Sequence, residues 1–301
     1  MVSMSASSLK STKRTGLFFV LPFFLIFVLL LIVPLVFSGF ISLYKKGLIG
    51  GNRYVGFENY ITMIHDPQWV SSVGRVFLYF FLQVPIMLII AVFAALAIDS
   101  GKLRFPKFFR IAIFIPYAVP AIIGCIIWGY IYGKNYGFLN QLLGYLHIHH
   151  VDWWGNSTQA LGSISAIVTW EFAGYNMIIL YAALKGLSTE LYEAAAVDGA
   201  GALKIALRIK LPQLYPAIFL TLIFSIIGSF QLFTEPQTLN LQAPTVLNNY
   251  FSPNVYAYSV AFQGQQLNYA ATISFSLGLI IAFFAIIATL VSRRRGGDSL
   301  L

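Results

Sequence analysis

Between Leu17 and Leu43 the chain carries no charged side chain, and the run is long enough to cross a lipid bilayer. The hydrocarbon layer needs about 20 predominantly apolar residues in helical form. A backbone inside it must pair all its own polar groups, which leaves only helices or a closed barrel. A secretory leader has an apolar core of about 7–15 residues and ends in small residues. This run is longer and has no Ala-x-Ala end, so it reads as a first transmembrane helix, with bends expected at Pro22 and Pro34. Five more spans are expected near Val73–Ile98, Phe109–Tyr132, Ala160–Leu184, Leu214–Phe233 and Asn268–Val291. The 301 residues are 58% hydrophobic and 10% charged, against roughly 25% charged in soluble domains. The expected fold class is therefore an all-α membrane protein with six transmembrane helices.

Basic residues orient the spans. With the N-terminus inside, the cytoplasmic segments hold Lys10, Lys13 and Arg14; Lys102, Arg104, Lys107 and Arg110; Lys185, Lys204, Arg208 and Lys210; and Arg293, Arg294 and Arg295. Only Lys45, Lys46, Arg53, Arg75 and Lys134 fall outside. The positive-inside rule thus places both termini in the cytoplasm. The net charge of +9 follows the cytoplasmic loops, so it gives no reason to expect a nucleic-acid partner. The expected organisation is a cytoplasmic tail over 1–16, a six-span domain over 17–292 with a cytoplasmic loop over 186–213, and a tail over 293–301.

The loop from Leu187 to Pro212 is unlike its flanks. Ser188 suits an N-cap, and Glu190 falls in the first turn, where the helix dipole favours an acid. Leu191 to Val197 are mostly good helix formers, and Gly199 and Gly201 interrupt them. Lys204 and Arg208 lie four apart on a second short helix, which Pro212 is expected to close. Ala194, Ala195 and Gly199 make a smooth patch that a partner's backbone can approach. Read from these residues alone, the loop is either a docking element or an ordinary interfacial helix-turn-helix.

Glu193-Ala194-Ala195, then Asp198-Gly199-Ala200, then Ile209-x-Leu211-Pro212 resembles the EAA loop of the permease subunits of bacterial ABC importers. The Asp-Gly-Ala and Leu-Pro elements are similar to the carbohydrate-uptake branch, the relatives of the maltose permeases. Val55-Gly56-Phe57-Glu58-Asn59-Tyr60 with Asp66-Pro67-x-Trp69 resembles the segment between that branch's first two core spans. Residues alone also allow an interfacial helix anchored there by Tyr60 and Trp69. Pro116, Pro120, Gly124 and Trp128, followed by Gly137-Phe138-Leu139-Asn140, resemble its third core span. The likeness runs through nearly all of the chain from residue 17. One departure is Leu239-Asn240-Leu241-Gln242-Ala243-Pro244, where the family often has Thr-x-Gly-Gly-Pro.

The resemblance implies a type I ABC importer permease fold in the bacterial cytoplasmic membrane. It implies a second homologous permease, two ATPase subunits and an extracytoplasmic solute-binding protein as partners. It also implies that Glu193, Ala194, Ala195, Asp198 and Gly199 couple to the ATPase. Gly-x-x-x-x-Gly-Lys-Ser/Thr does not occur in the chain, so ATP and its magnesium belong to another polypeptide.

Glu171 lies inside the fourth span, where an acid costs about 2.5–3.5 kcal/mol on insertion scales. It either hydrogen-bonds a neighbouring helix or faces a solute path. Tyr175 lies one turn on, with Asn176 beside it. Ser225, Ser229 and Gln231 interrupt the fifth span, either as small packing residues or as polar lining. By resemblance to the maltose permease, Tyr175, Ser225 and Ser229 fall at sugar-contacting positions. The candidate path is therefore Glu171, Tyr175, Asn176, Ser225, Ser229 and Gln231, and the candidate solute is a di- or oligosaccharide or related polyol. A secondary transporter or channel that uses Glu171 for proton coupling is the alternative.

His147, His149 and His150 with Asp152 cluster in one loop without a ligand group elsewhere, and Trp153 and Trp154 beside them suit the headgroup level. Asn156-Ser157-Thr158 matches a glycosylation acceptor that has no use in a bacterial setting. Cys125, the single cysteine, falls in an apolar run and is expected to be a buried, inert thiol.

Overall fold

A computed structural model describes residues 18–47 and 51–294, with side chains to Val291. The expected tail over 1–16 lies outside these residues, as does the chain after Arg294. The first span is α1 (Phe18–Ile41). A single π turn, Val28–Ile32, interrupts it, with the Val33 N–H donating to the Val28 carbonyl. Pro34 follows at once. A proline ring clashes with the carbonyl four residues earlier, and the widened turn makes room for it. The chain then forms a short hairpin, β1 (Tyr44–Lys46) against β2 (Asn52–Tyr54), a small exception to the all-helical expectation.

Helix α2 (Glu58–Ile64) leads to α3 (Pro67–Asp99). The carbonyls left free at the end of α1 need partners. Asn59 Nδ2 donates to the Ser42 and Tyr44 carbonyls at 2.8 Å each, and Asn268 Nδ2 donates to the Ile41 carbonyl at 3.0 Å. Asp66 caps α3 through the Gln68 N–H at 2.9 Å, and its other oxygen accepts from the hydroxyls of Tyr269, at 2.8 Å, and Tyr256. Trp69 is 6% exposed and belongs to the core, not to an interfacial anchor. Tyr60 is half-buried and hydrogen-bonds Ser42 at 2.6 Å.

The expected third span is two helices, α4 (Pro106–Ala118) and α5 (Ala121–Ile131), bent by 98°. Pro120 holds Val119 in extended backbone, which stops α4 there. After α5 comes α6 (Phe138–Tyr145). A Cβ at Gly137 would meet the Gly133 carbonyl oxygen at 2.3 Å, so the Gly-x-x-Asn turn requires glycine. Its Asn140 is fully buried, donating to the Lys134 and Val151 carbonyls and accepting from Val151 N–H and Trp153 Nε1. Trp154 is 7% exposed and packs edge-on against Tyr132. Asp152 is hydrogen-bonded to Lys134, which holds its carboxyl below the usual range. Cys125 is a free, fully buried thiol.

Helix α7 (Ser157–Lys185) is the fourth span, and the α3–α7 contact is the most extensive between helices. The loop that follows contains α8 (Glu190–Val197) and α9 (Ala202–Ile205). Thr189, not Ser188, is the residue before α8, and no side chain caps it. Nor does Pro212 close α9. A second π turn, Ala206–Lys210, precedes it, and the helix continues through Leu211–Gln213. Helix α10 (Tyr215–Phe230) then ends the regular part of the fifth span, and α11 (Thr234–Leu239) follows after a break. Helix α12 (Pro253–Tyr258) leads to the last span, α13 (Leu267–Arg294). Among the described residues five helices are long and apolar enough to cross a membrane, or six if the bent pair counts as one.

Helix α4 lies so close on α7 that a Cβ at Gly174 would sit 2.0 Å from the Ile113 carbonyl oxygen. That neighbour is backbone and has no rotamer to change, so Gly174→Ala should separate the helices. Overpacking of this kind costs about 1–3 kcal/mol. Thermal unfolding of the purified protein in detergent should show a lower midpoint for Gly174→Ala than for Gly162→Ala, whose Cβ meets nothing within 4 Å on the same helix. Equal midpoints would contradict the contact.

Candidate functional site

The fifth span breaks between α10 and α11. Gln231 ends α10, and Phe233 departs from helical backbone before Thr234 restarts it. Irregular backbone at membrane depth persists only where other protein groups or a wet cavity satisfy it. Asn254 Nδ2 donates to the Phe230 carbonyl at 3.1 Å, and Ser252 Oγ donates to the Leu232 carbonyl at 2.6 Å. The first residues of α12 thus hold the broken end.

Beside this break lies a cavity of about 280 Å³. Helix α3 gives it Tyr79, Gln83 and Met87, and α7 gives Val168, Phe172, Tyr175 and Asn176. The α10–α11 segment gives Ser225, Ser229, Gln231 and Glu235, with Thr234 and apolar neighbours. Five of the six residues singled out from the sequence, Tyr175, Asn176, Ser225, Ser229 and Gln231, are therefore brought together. Glu171 is not among the lining. It is 7% exposed and buried on α7.

The serine hydroxyls turn back on their own helix: Ser225 Oγ donates to the Thr221 carbonyl and Ser229 Oγ to the Ser225 carbonyl, each at 2.7 Å. Each keeps acceptor capacity for a hydroxyl in the cavity. Asn176 Nδ2 donates to the Phe172 carbonyl at 2.9 Å, which leaves its amide oxygen free to accept. The Tyr175 ring stacks on Tyr117 of α4, with centroids 4.7 Å apart and planes at 21°. The wall therefore combines the rings of Tyr79, Phe172, Tyr175 and Phe224 with amide, hydroxyl and carboxyl groups, and none of the lining residues is basic.

The candidates in the loop over 186–213 form a second group. Gly199 has φ +79°, the left-handed region. Around it the Ala200 N–H donates to the Ala195 carbonyl at 2.9 Å and the Gly199 N–H to the Ala196 carbonyl at 3.0 Å. This is the Schellman arrangement, and it is why glycine follows Asp198. Glu193, Ala194, Asp198 and Gly199 are exposed, while Ala195 is half-buried. Val197 is 88% exposed and Leu203 72%, so the helix pair presents apolar side chains away from the bundle.

Its opposite side is fastened by ions. Asp99 ends α3, and its side chain is only 6% exposed. One carboxylate oxygen takes Lys210 Nζ at 2.5 Å and the other takes Lys185 Nζ at 2.7 Å. The Lys210 ammonium also sits 4.7 Å from the Tyr192 ring centre on α8. Burial pushes the Tyr192 hydroxyl up from its ordinary value, and the Asp99 charge adds to the shift. Lys210 is 13% exposed and Lys185 57%, so solvent screens the second arm far more than the first.

The family of binding-protein-dependent transport system inner membrane components matches residues 60–296. The chain belongs to this family. Over 288 residues it is 30% identical to the diacetylchitobiose uptake system permease protein NgcF of Streptomyces coelicolor, covering 92% of this chain and 81% of that protein. It is 28% identical to the lactose transport system permease protein LacF of Rhizobium radiobacter, covering 97% and 100%. Its fold matches a permease chain in the crystal structure of a bacterial alginate ABC transporter in complex with alginate pentasaccharide-bound periplasmic protein. The TM-score is 0.83 at 20% identity, covering 96% of this chain and 98% of that one.

Three residues of the permease escaped the sequence reading. Glu235 is 8% exposed and lines the cavity, but the fifth span was taken to end at Phe233. The signal was present in Gln231, Thr234, Glu235 and Pro236, a polar, proline-marked interruption in an apolar run. Tyr117 stands behind the cavity wall, stacked on the Tyr175 ring. Asp99, a lone acid before a basic loop, has no sequence neighbour that marks it, and its partners Lys185 and Lys210 are distant in the chain. Among the described residues no three of His, Cys, Asp and Glu gather as a metal site.

Glu193→Lys and Gly199→Asp alter the exposed face without touching the spans. A Cβ at Gly199 meets nothing within 4 Å, but its φ of +79° strains any side chain, so Gly199→Asp also loosens the end of α8, whereas Glu193→Lys changes only the surface. Both variants should reach the membrane in normal amount, by immunoblot of membrane fractions, and lose at least about 90% of uptake. Near-normal uptake in either would remove the docking role from this patch.

Proposed function

We propose that the permease forms half of the translocation path of an ATP-driven importer for a di- or oligosaccharide. The observation that carries this reading is one of connectivity. The α8–α9 pair joins α7 directly to α10, and these two helices supply most of the cavity wall. A force applied to the exposed pair therefore reaches the cavity through continuous chain. The basic residues place the pair in the cytoplasm by the positive-inside rule. One ATPase subunit docks there and a second docks under the corresponding loop of a second, homologous permease, which closes the path from the other side; the two ATPases bind ATP and magnesium. An extracytoplasmic binding protein delivers the solute.

A saccharide suits the wall described above. Each sugar hydroxyl leaving water needs a replacement partner, since an unpaired buried polar group costs about 1–3 kcal/mol. Gln231, Asn176, Ser225 and Ser229 offer such partners, and the Tyr175 ring offers an apolar face of the kind that packs against a sugar. Lactose and diacetylchitobiose, the solutes that two relatives are named for, are the first compounds to try. No bond in the solute is made or broken. The chain positions it and changes which side of the membrane it faces.

Affinity purification through a tag on this chain should bring down an ATPase and a second multi-span permease in defined stoichiometry. Uptake by the complex in vesicles should continue when the proton gradient is collapsed and stop when ATP is withdrawn. The reverse pattern would favour proton coupling through Glu171. A transport-active assembly without an ATPase would overturn the proposal.

A further inference from the structure

We infer that Asp99 is the joint that makes α3 move with the docking loop, and that it acts as a positioning residue for coupling. The inference rests on the ATP-driven reading above. Helices α7 and α10 are attached to the loop by the chain itself, whereas α3 is held by apolar packing along those two helices and, at its loop end, by Asp99. Yet α3 supplies the Tyr79, Gln83 and Met87 wall of the cavity. Among the described residues the ion pairs between α3 and the loop region all go to Asp99. Its lysine partners come from the end of α7 and from the turn that follows α9.

Asp99 also sits where helix stability alone would not put it. It is the last residue of α3, where the dipole disfavours an acid. With its side chain only 6% exposed, it needs compensating charge, and two lysines supply it. Lys210 in turn lies against Tyr192, so the ionic contact reaches α8, the helix that carries the docking face. Tyr192, Lys210 and Asp99 thus connect a docking-helix ring to the end of a cavity-lining helix through side chains alone.

The test uses the complete transporter with its ATPase, in a Cys125→Ser background, with Ser229→Cys as the reporter in the cavity wall. N-ethylmaleimide labelling of that cysteine is compared without nucleotide and after trapping with ATP and orthovanadate. With Asp99 intact the labelling rate should differ at least about fivefold between the two states. Asp99→Asn should trap nucleotide to the same extent, yet its labelling difference should fall below about twofold. Lys210→Met should reproduce this loss, and Asp99→Glu should restore the difference. A full difference in Asp99→Asn or Lys210→Met would overturn the inference. So would a parallel loss of trapping in both, which would make Asp99 an assembly residue. Trapping without any difference in the Asp99-intact protein would overturn the underlying functional reading, and this inference with it.

Discussion

Inside hydrocarbon, an amide or carbonyl without a partner costs several kcal/mol, and the architecture of this permease follows from how its chain meets that demand. Most of it does so by long helices. At two points, Val119–Pro120 and Gln231–Phe233, the helices break, and those breaks shape the site. The bend at Pro120 turns α4 and α5 apart and leaves Tyr117 stacked on Tyr175. The break after α10 exposes Gln231 and Glu235 to the cavity, while Ser252 and Asn254 take the carbonyls it frees. Gln83, Asn176, Ser225 and Ser229 line the cavity from regular helix, and the break after α10 adds Gln231, Thr234 and Glu235 to them.

The same rule explains the gentler interruptions. Pro34 and Pro212 each follow a π turn that begins six residues earlier, so each proline is accommodated without ending its helix. In the loop this matters mechanically. The helix runs from Ala202 through Gln213 and meets α10 at Leu214, a fully buried residue, so α9 and the fifth span are nearly continuous. A short helix attached in this way has little freedom to move alone.

These features were unequally legible in the sequence. Apolar length identified the spans because the bilayer sets a minimum that few other structures need. Gly199 was readable because a left-handed residue after a run of helix formers calls for glycine. Trp69 misled for the opposite reason: tryptophan serves both interfaces and cores, and only packing distinguishes them. Ser188 looked like a cap, but hydrogen bonding decides capping, and the helix starts two residues later. Pro120 was noticed as a family-like feature, yet a proline leaves a kink and a near right-angle bend equally open. Asp99 had no local pattern at all, because its partners lie 86 and 111 positions away.

The central claim is that the α8–α9 face meets a separate ATPase. A photoreactive benzoylphenylalanine placed at Val197 tests it most directly, with Tyr136 as the control, since both side chains are 88% exposed and they lie at opposite ends of the spans. Irradiation of intact membranes should give one adduct from position 197, with the combined mass of the permease and an ATPase subunit. Position 136 should give no such adduct. An ATPase adduct from position 136, or none from position 197 in membranes that show ATP-driven uptake, would contradict the account.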